Sequence, residues 1–215
     1  MIKAVIFDMD GVLIDSEICY LQFDLGFARA KNPDVTIDQL FGMVGASKKD
    51  AWLVMEKAVN NGQTWEELRD EYRASVNVFS QVDYREIFRK EALQVLTLLK
   101  DRGYSLALAS STQMEIILRV LNENQIRSYF DQIVSGSQFK QSKPNPEIYQ
   151  YTAAQLKVAP HECLVIEDST LGITAAFRAG MTIAALIDDR FGFDRSHADY
   201  EIKSLLEIPG ILGIS

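Results

Sequence analysis

The sequence predicts an α/β fold, a doubly wound parallel sheet with an α-helical domain inserted after its first strand. Three observations point there. Short runs rich in aliphatic and β-branched residues recur at Ile2 to Phe7, Tyr104 to Ala109, Gln132 to Val134, Cys163 to Ile166 and Thr182 to Ile187. Helical periodicity fills the gaps between the later runs, with Ile116, Ile117, Val120 and Leu121 on one face and Ile148, Tyr149, Thr152 and Leu156 on another. The gap between the first run and the second is far too long for one crossover helix.

Taken in order, the first run is continuously apolar, the pattern of a parallel strand buried on both faces, and it ends in Asp8-Met9-Asp10-Gly11-Val12. Open α/β sheets keep their ligands at such carboxyl-terminal strand tips. From Ser16 to Tyr84 the chain shows helical patterns and no convincing strand, punctuated by Gly45, Asn60-Asn61 and Gly62, with Ser47 as an N-cap and Asp50 in the first turn of a helix. Trp52 and Trp65 fall at helical spacings with Leu53, Val54 and Leu68 and read as core. The expected organisation is a core built from residues 1–15 and 85–215 and a helical cap over 16–84. The tail from Leu205, broken by Pro209, Gly210 and Gly213, reads as a loose end docked on the core.

With 215 residues, 47% of them hydrophobic, the chain can bury a sizeable interior. A net charge of −8 without a basic stripe excludes a duplex-binding surface, so nucleic acid is not an expected partner. Cys19 and Cys163 form no CxxC pair and no disulfide framework, which favours a reducing compartment, the cytoplasm. The first apolar run meets Asp8 too soon for a signal-peptide core, and no other run is long enough to span a bilayer, so no membrane role is expected. A monomer is the default.

Two distant segments, Lys143-Pro144 and Glu167-Asp168, complete a pattern suited to phosphoryl transfer. A carboxylate that attacks phosphorus forms an acyl phosphate, which hydrolyses more readily than the starting ester, so Asp8 is the candidate nucleophile. Asp10, two residues on and on the same face, is placed to protonate the leaving group and then deprotonate water. Gly11 permits a turn whose backbone N–H groups would point at the phosphoryl oxygens, with Met9 and Ser111 as further substrate-contacting positions. Ser110 offers a hydroxyl and Lys143 an ammonium to the same oxygens. Carboxylates facing a phosphate dianion call for a hard cation with oxygen ligands, and Asp168 and Glu167 are placed to supply them to Mg²⁺. Singly, each element is ordinary: an acidic turn, a helix cap, a solvated Lys-Pro loop. Their conjunction near successive strand ends carries the reading.

On these four motifs the chain resembles the haloacid dehalogenase superfamily, and DMDGVLIDSE, Asp8 to Glu17, is similar to its β-phosphoglucomutase-like phosphatases. The resemblance implies a Rossmann-like core with a helical cap, a phosphoaspartate at Asp8, acid/base duty for Asp10, and Mg²⁺ held by Asp8, the Asp10 carbonyl and Asp168, with Glu167 of second rank. It also implies that the loop Gly45-Ala46-Ser47-Lys48 reaches the substrate, with Gly45, Ser47 and Lys48 as contacts. Asp10 disfavours dehalogenation. Mutases of this type carry His where Tyr20 stands, Lys where Val44 aligns and Arg at Lys48, so hydrolysis of a small phosphorylated metabolite, a sugar phosphate by expectation, is favoured over isomerisation. A phosphoacceptor signalling module shares the Asp, metal, hydroxyl and Lys but needs neither Asp10 nor the insert; a catalytically quiet binding relative would not need every motif residue. His161 and His197 read as surface residues, Lys49 as solvated, and Asp15, Ser16 and Glu17 as hinge or helix-capping positions.

Overall fold

The computed structural model describes residues 1–75 and 82–214, the Lys48 side chain excepted. In chain order the principal elements are β1 (Ala4–Phe7), α1 (Ser16–Arg29), α2 (Lys48–Val59), α3 (Trp65–Ser75), α4 (Glu91–Asp101), β2 (Ser105–Ser110), α5 (Met114–Glu123), β3 (Gln132–Ser135), α6 (Glu147–Leu156), β4 (Cys163–Glu167), α7 (Thr170–Arg178), β5 (Thr182–Leu186), β6 (Tyr200–Ile202) and α8 (Ile208–Ile211). They form two compact units, one of Met1–Asp15 with Tyr84–Ser215, the other of Ser16–Asp83. Tyr84 groups with the first unit: its backbone N–H donates to Glu123 and its carbonyl accepts from the Asn124 amide.

In the first unit the strands make one sheet of order β3-β2-β1-β4-β5-β6, each pairing parallel. β1 lies inside the sheet, with every residue from Ala4 to Phe7 buried, which explains its unbroken apolar run. Ala4, Ile6, Ala107, Val165 and Ile183 share one packed face with Tyr149 and Ala153 of α6 and Ala175 and Ala176 of α7. Helix α4 packs against β2.

The structure adds a sixth strand to the five read from the sequence. β6 is only three residues long, lies at the sheet edge and buries Ile202 alone, so it carries no apolar run to detect. The tail is also more ordered than a loose end. Ser204 caps a 3-10 turn, Leu205–Glu207, that leads into α8, and Leu205 and Ile208 are fully buried where this segment packs on α4.

The second unit holds α1, α2 and α3 with a 3-10 segment, Ile37–Met43. Leu21, Leu25 and Ala28 of α1, Met55 and Val59 of α2 and Leu68 of α3 supply its interior. Ser47 caps α2, and Asn60 closes it in the left-handed region. Leu53 is 40% exposed, because two residues along a helix turn it about 200° away from the buried Met55. Trp52 and Trp65 are half-buried. Trp52 meets Tyr72 edge-on at 5.3 Å, and the Arg69 guanidinium lies 5.1 Å from the centre of the Trp65 ring. Burial pushes the Asp24 carboxyl up to about 6, against a stabilising hydrogen bond from Tyr72. Among the described residues no helix is long and apolar enough to cross a membrane.

Candidate active site

Parallel register brings the site together. Phe7 pairs with Leu108 on one side and Ile166 on the other, so the chain leaves β1, β2 and β4 at one level. Strand order reverses between β1 and β4, the switch point where such sheets open a crevice. Asp8 follows β1 and donates its N–H to the Ile166 carbonyl at 3.0 Å. Ser110 ends β2, Glu167 ends β4 and Asp168 is the next residue. All four are buried.

Lys143, brought in by the loop before α6, is buried too, and its ammonium has three acceptors: Asp8 Oδ1 at 2.5 Å, Glu167 Oε1 at 2.6 Å and the Ala109 carbonyl at 3.1 Å. The Lys143–Pro144 peptide is cis. Tyr149, fully buried on α6, donates its hydroxyl to Glu167 Oε1 at 2.6 Å, with its ring 5.0 Å from the Lys143 ammonium. The other Glu167 oxygen accepts from the Asp168 N–H at 3.1 Å, the Ser169 N–H at 3.4 Å and the Ser169 hydroxyl at 3.2 Å. Both Glu167 oxygens are therefore committed to protein donors. A β-carbon at Gly172 would fall 1.8 Å from Glu167 Oε1, so only glycine lets α7 start directly over this carboxylate.

Asp8, Glu167 and Asp168 each offer an oxygen within 4.8 Å of the others, an all-oxygen, all-carboxylate set that suits a hard divalent cation. Charge gives the same answer. Lys143 pairs with Asp8 and Glu167, and Asp168 and Asp10 lie close by, so carboxylates outnumber the ammonium and a divalent ion would offset the excess. Burial, opposed by Lys143 and reinforced by Glu167 and Asp10, raises the Asp8 pKa far above the ordinary carboxylate value. Burial also works against the Lys143 ammonium, but Asp8 and Glu167 outweigh it and hold the lysine pKa well above normal.

A family model for haloacid dehalogenase-like hydrolases matches residues 5–186. The chain belongs to that family. It is 33% identical over 180 residues to a phosphorylated carbohydrates phosphatase of Thermotoga maritima, covering 83% of this chain and 82% of the relative. Against hexitol phosphatase B of Escherichia coli K12 the identity is 29% over 217 residues, 96% of this chain and 94% of the other. A solved structure of a Thermotoga maritima protein assigned as a candidate β-phosphoglucomutase superposes with a TM-score of 0.74 at 28% identity, covering 99% of both chains. The fold of this hydrolase is that of the β-phosphoglucomutase-like members.

Several positions behave differently from the sequence reading. The Gly11 N–H is donated inside the turn, to the Ile14 carbonyl at 2.8 Å. Gly11 instead makes room: its φ is +76° and a β-carbon there would lie 2.0 Å from Asp168 Oδ2. The Met9 side chain is fully buried and its carbonyl accepts from Val12, Leu13 and Ile14, so any substrate contact there is limited to backbone. Ser111 is exposed just beyond β2. In the second unit Gly45 has φ +68°. The Ser47 hydroxyl is engaged with Asp50, accepting its N–H at 3.2 Å and donating to its carboxylate at 2.6 Å, which makes capping its observed work. Lys48 begins α2, and its side chain lies outside the described residues.

Sequence reasoning missed three parts of this hydrolase's strand-tip cluster. Thr112 donates its hydroxyl to Asp10 Oδ2 at 2.8 Å. Tyr149 was read only as core, although a buried phenol needs a polar partner, and that requirement was the available signal. Arg190 bonds both Asp188, at 2.5 Å, and Asp15, at 2.6 Å, giving Asp15 an ion pair that no local pattern announces. His161 and His197 are exposed, and His197 stacks on Phe177 at 4.2 Å.

Proposed function

We propose that this hydrolase is a Mg²⁺-dependent phosphatase of small phosphomonoesters, a sugar or polyol phosphate, working through a phosphoaspartate on Asp8. The observation that carries the reading is the convergence of Asp8, Glu167 and Asp168, each with an oxygen within 4.8 Å of the others and the first two paired with Lys143, a site with more negative charge than that ammonium can balance. The substrate class rests on the two phosphatase relatives, both named for phosphorylated carbohydrates or hexitols.

Asp8 and Asp168, with the Asp10 backbone carbonyl, would hold Mg²⁺, since the Glu167 oxygens are already committed; Glu167 fixes Lys143 and the turn into α7. The bound cation would supply charge neutralisation and polarise the phosphoryl oxygens. Asp8 attacks phosphorus, the ester O–P bond breaks with its electron pair on the leaving oxygen, and Asp10 delivers a proton there. Water then attacks the phosphoaspartate, gives its proton to Asp10, and the Asp8–phosphorus bond breaks to release inorganic phosphate. Ser110 and Lys143 stabilise the charge on the transferring group. Substrate choice falls to the helical second unit, as a cap.

A mutase reading has the candidate β-phosphoglucomutase neighbour in its favour. One experiment separates the two: incubation with β-glucose 1-phosphate, a bisphosphate primer and Mg²⁺, scored for free phosphate against glucose 6-phosphate. Steady phosphate release from a sugar-phosphate panel, silenced by a chelator, restored by Mg²⁺ and absent in Asp8→Asn, is the expected result. Parental rates in Asp8→Asn would end the proposal.

A further inference from the structure

We propose that Thr112 is a positioning residue for Asp10, holding the acid/base carboxylate beside Asp8 through its side-chain hydroxyl. The inference rests on the phosphatase reading above and adds to it a residue that no motif marks.

Asp10 is not part of a strand. It sits in the turn after β1, half-buried, where a short acidic side chain has several rotamers open to it. The Thr112 hydroxyl donates to its Oδ2 at 2.8 Å, across 102 residues of sequence. Thr112 is itself held at both ends. Its N–H donates to the Ser110 hydroxyl at 3.1 Å, and its carbonyl accepts from the Ser135 hydroxyl at 2.5 Å. Ser110 and Ser135 pair in register as the last residues of β2 and β3, so the hydroxyl is referenced to two adjoining strands of the sheet. A β-branched side chain is stiff at χ1, which fixes the hydroxyl direction once the backbone is set. These bonds tie the carboxylate on the β1 turn to the tips of β2 and β3.

A residue that places a general acid should matter most where protonation of the leaving group matters most. Phenyl phosphate and p-nitrophenyl phosphate have nearly the same shape, but the nitrophenolate departs without needing a proton. The parameter to compare is kcat/KM, which covers events through departure of the alcohol. Thr112→Val should lower kcat/KM on phenyl phosphate at least about tenfold more than on p-nitrophenyl phosphate, within the range by which general acids and orientation contribute. Thr112→Ser, which restores the hydroxyl, should stay within about threefold of the parent in that ratio, and Asp10→Asn should show the same selectivity more strongly.

Equal losses on the two esters, no loss in Thr112→Val, or a serine variant no better than valine would each overturn the inference while the phosphatase reading stands. A parent protein inert toward both esters would remove that reading and this inference with it. Thermal melts of both variants show whether a loss is one of folding; if Thr112→Val does not fold, the Thr112→Ser ratio together with the Asp10 rotamer in its crystal structure decides, and a displaced Asp10 with an unchanged ratio overturns the proposal.

Discussion

Gly11→Ala tests how closely the Asp8 turn and Asp168 are fitted together. Gly11 has φ +76°, a region that costs an L-residue about 1–2 kcal/mol. The steric demand is larger. The new β-carbon would lie 2.0 Å from Asp168 Oδ2 and 2.5 Å from its Cγ, whereas ordinary contact begins at 3.4 Å, so Asp168 must withdraw by about 1.4 Å. That is a sizeable fraction of the 4.8 Å within which the three carboxylates converge. A displacement of about 1 Å in a positioned group costs about 100-fold in rate, and disturbance of a ligand costs about 10–100-fold in metal affinity. The variant should therefore lose about 100-fold in kcat/KM and bind Mg²⁺ at least about tenfold more weakly by calorimetric titration, with about 2–5 kcal/mol lost in urea unfolding from backbone and overpacking together. Phosphate release measured against Mg²⁺ concentration gives the kinetic half of the assay. If Gly11→Ala kept the parental kcat/KM and Mg²⁺ response, Asp168 would not be needed where it lies, and the assignment of the metal ligands would be wrong.

Other perturbations probe the same packing and one separate site. Lys143→Met strands two buried carboxylates, Asp8 and Glu167, without their cation, and should cost the metal-free protein about 3–5 kcal/mol in urea unfolding; parental stability would contradict the charge accounting. Tyr149→Phe removes one of the two side-chain donors on Glu167 Oε1 and should cost about 1–2 kcal/mol, a loss that would have to be absent for the hydrogen bond to be incidental. Asp24 has a folded pKa of about 6 against 3.8, so the folded state binds more protons between these values. Its contribution is fully present below about pH 4 and is lost as pH rises through 6, on the order of 3 kcal/mol at most. Asp24→Asn should flatten the stability profile between pH 4 and 7; an unchanged slope would count against the shift.

Much of the core was legible because its cues are local. A parallel strand buried on both faces has to be continuously apolar, so β1, β2, β4 and β5 stood out, and Asp8, Ser110 and Glu167-Asp168 could be found by reading past their ends. Strand β6 was not legible, since three residues at a sheet edge with one buried side chain leave no pattern. Trp52 and Trp65 are only half-buried, because helical spacing marks a stripe but not how deeply each residue on it sits.

The sequence by itself determined the chemistry on offer: two acids one residue apart, a lysine, a hydroxyl and an acidic pair, with Gly11 and Pro144 beside them. Only the tertiary structure decided how each is used. It spent the Gly11 N–H within its own turn, committed both Glu167 oxygens to Lys143, Tyr149 and the turn into α7, and brought Thr112 to Asp10 from 102 residues away. The reason is physical. A residue's type sets which hydrogen bonds and charges it can offer, but parallel register and burial decide which partners lie within 3 Å, and in a buried site those partners settle what remains for a substrate.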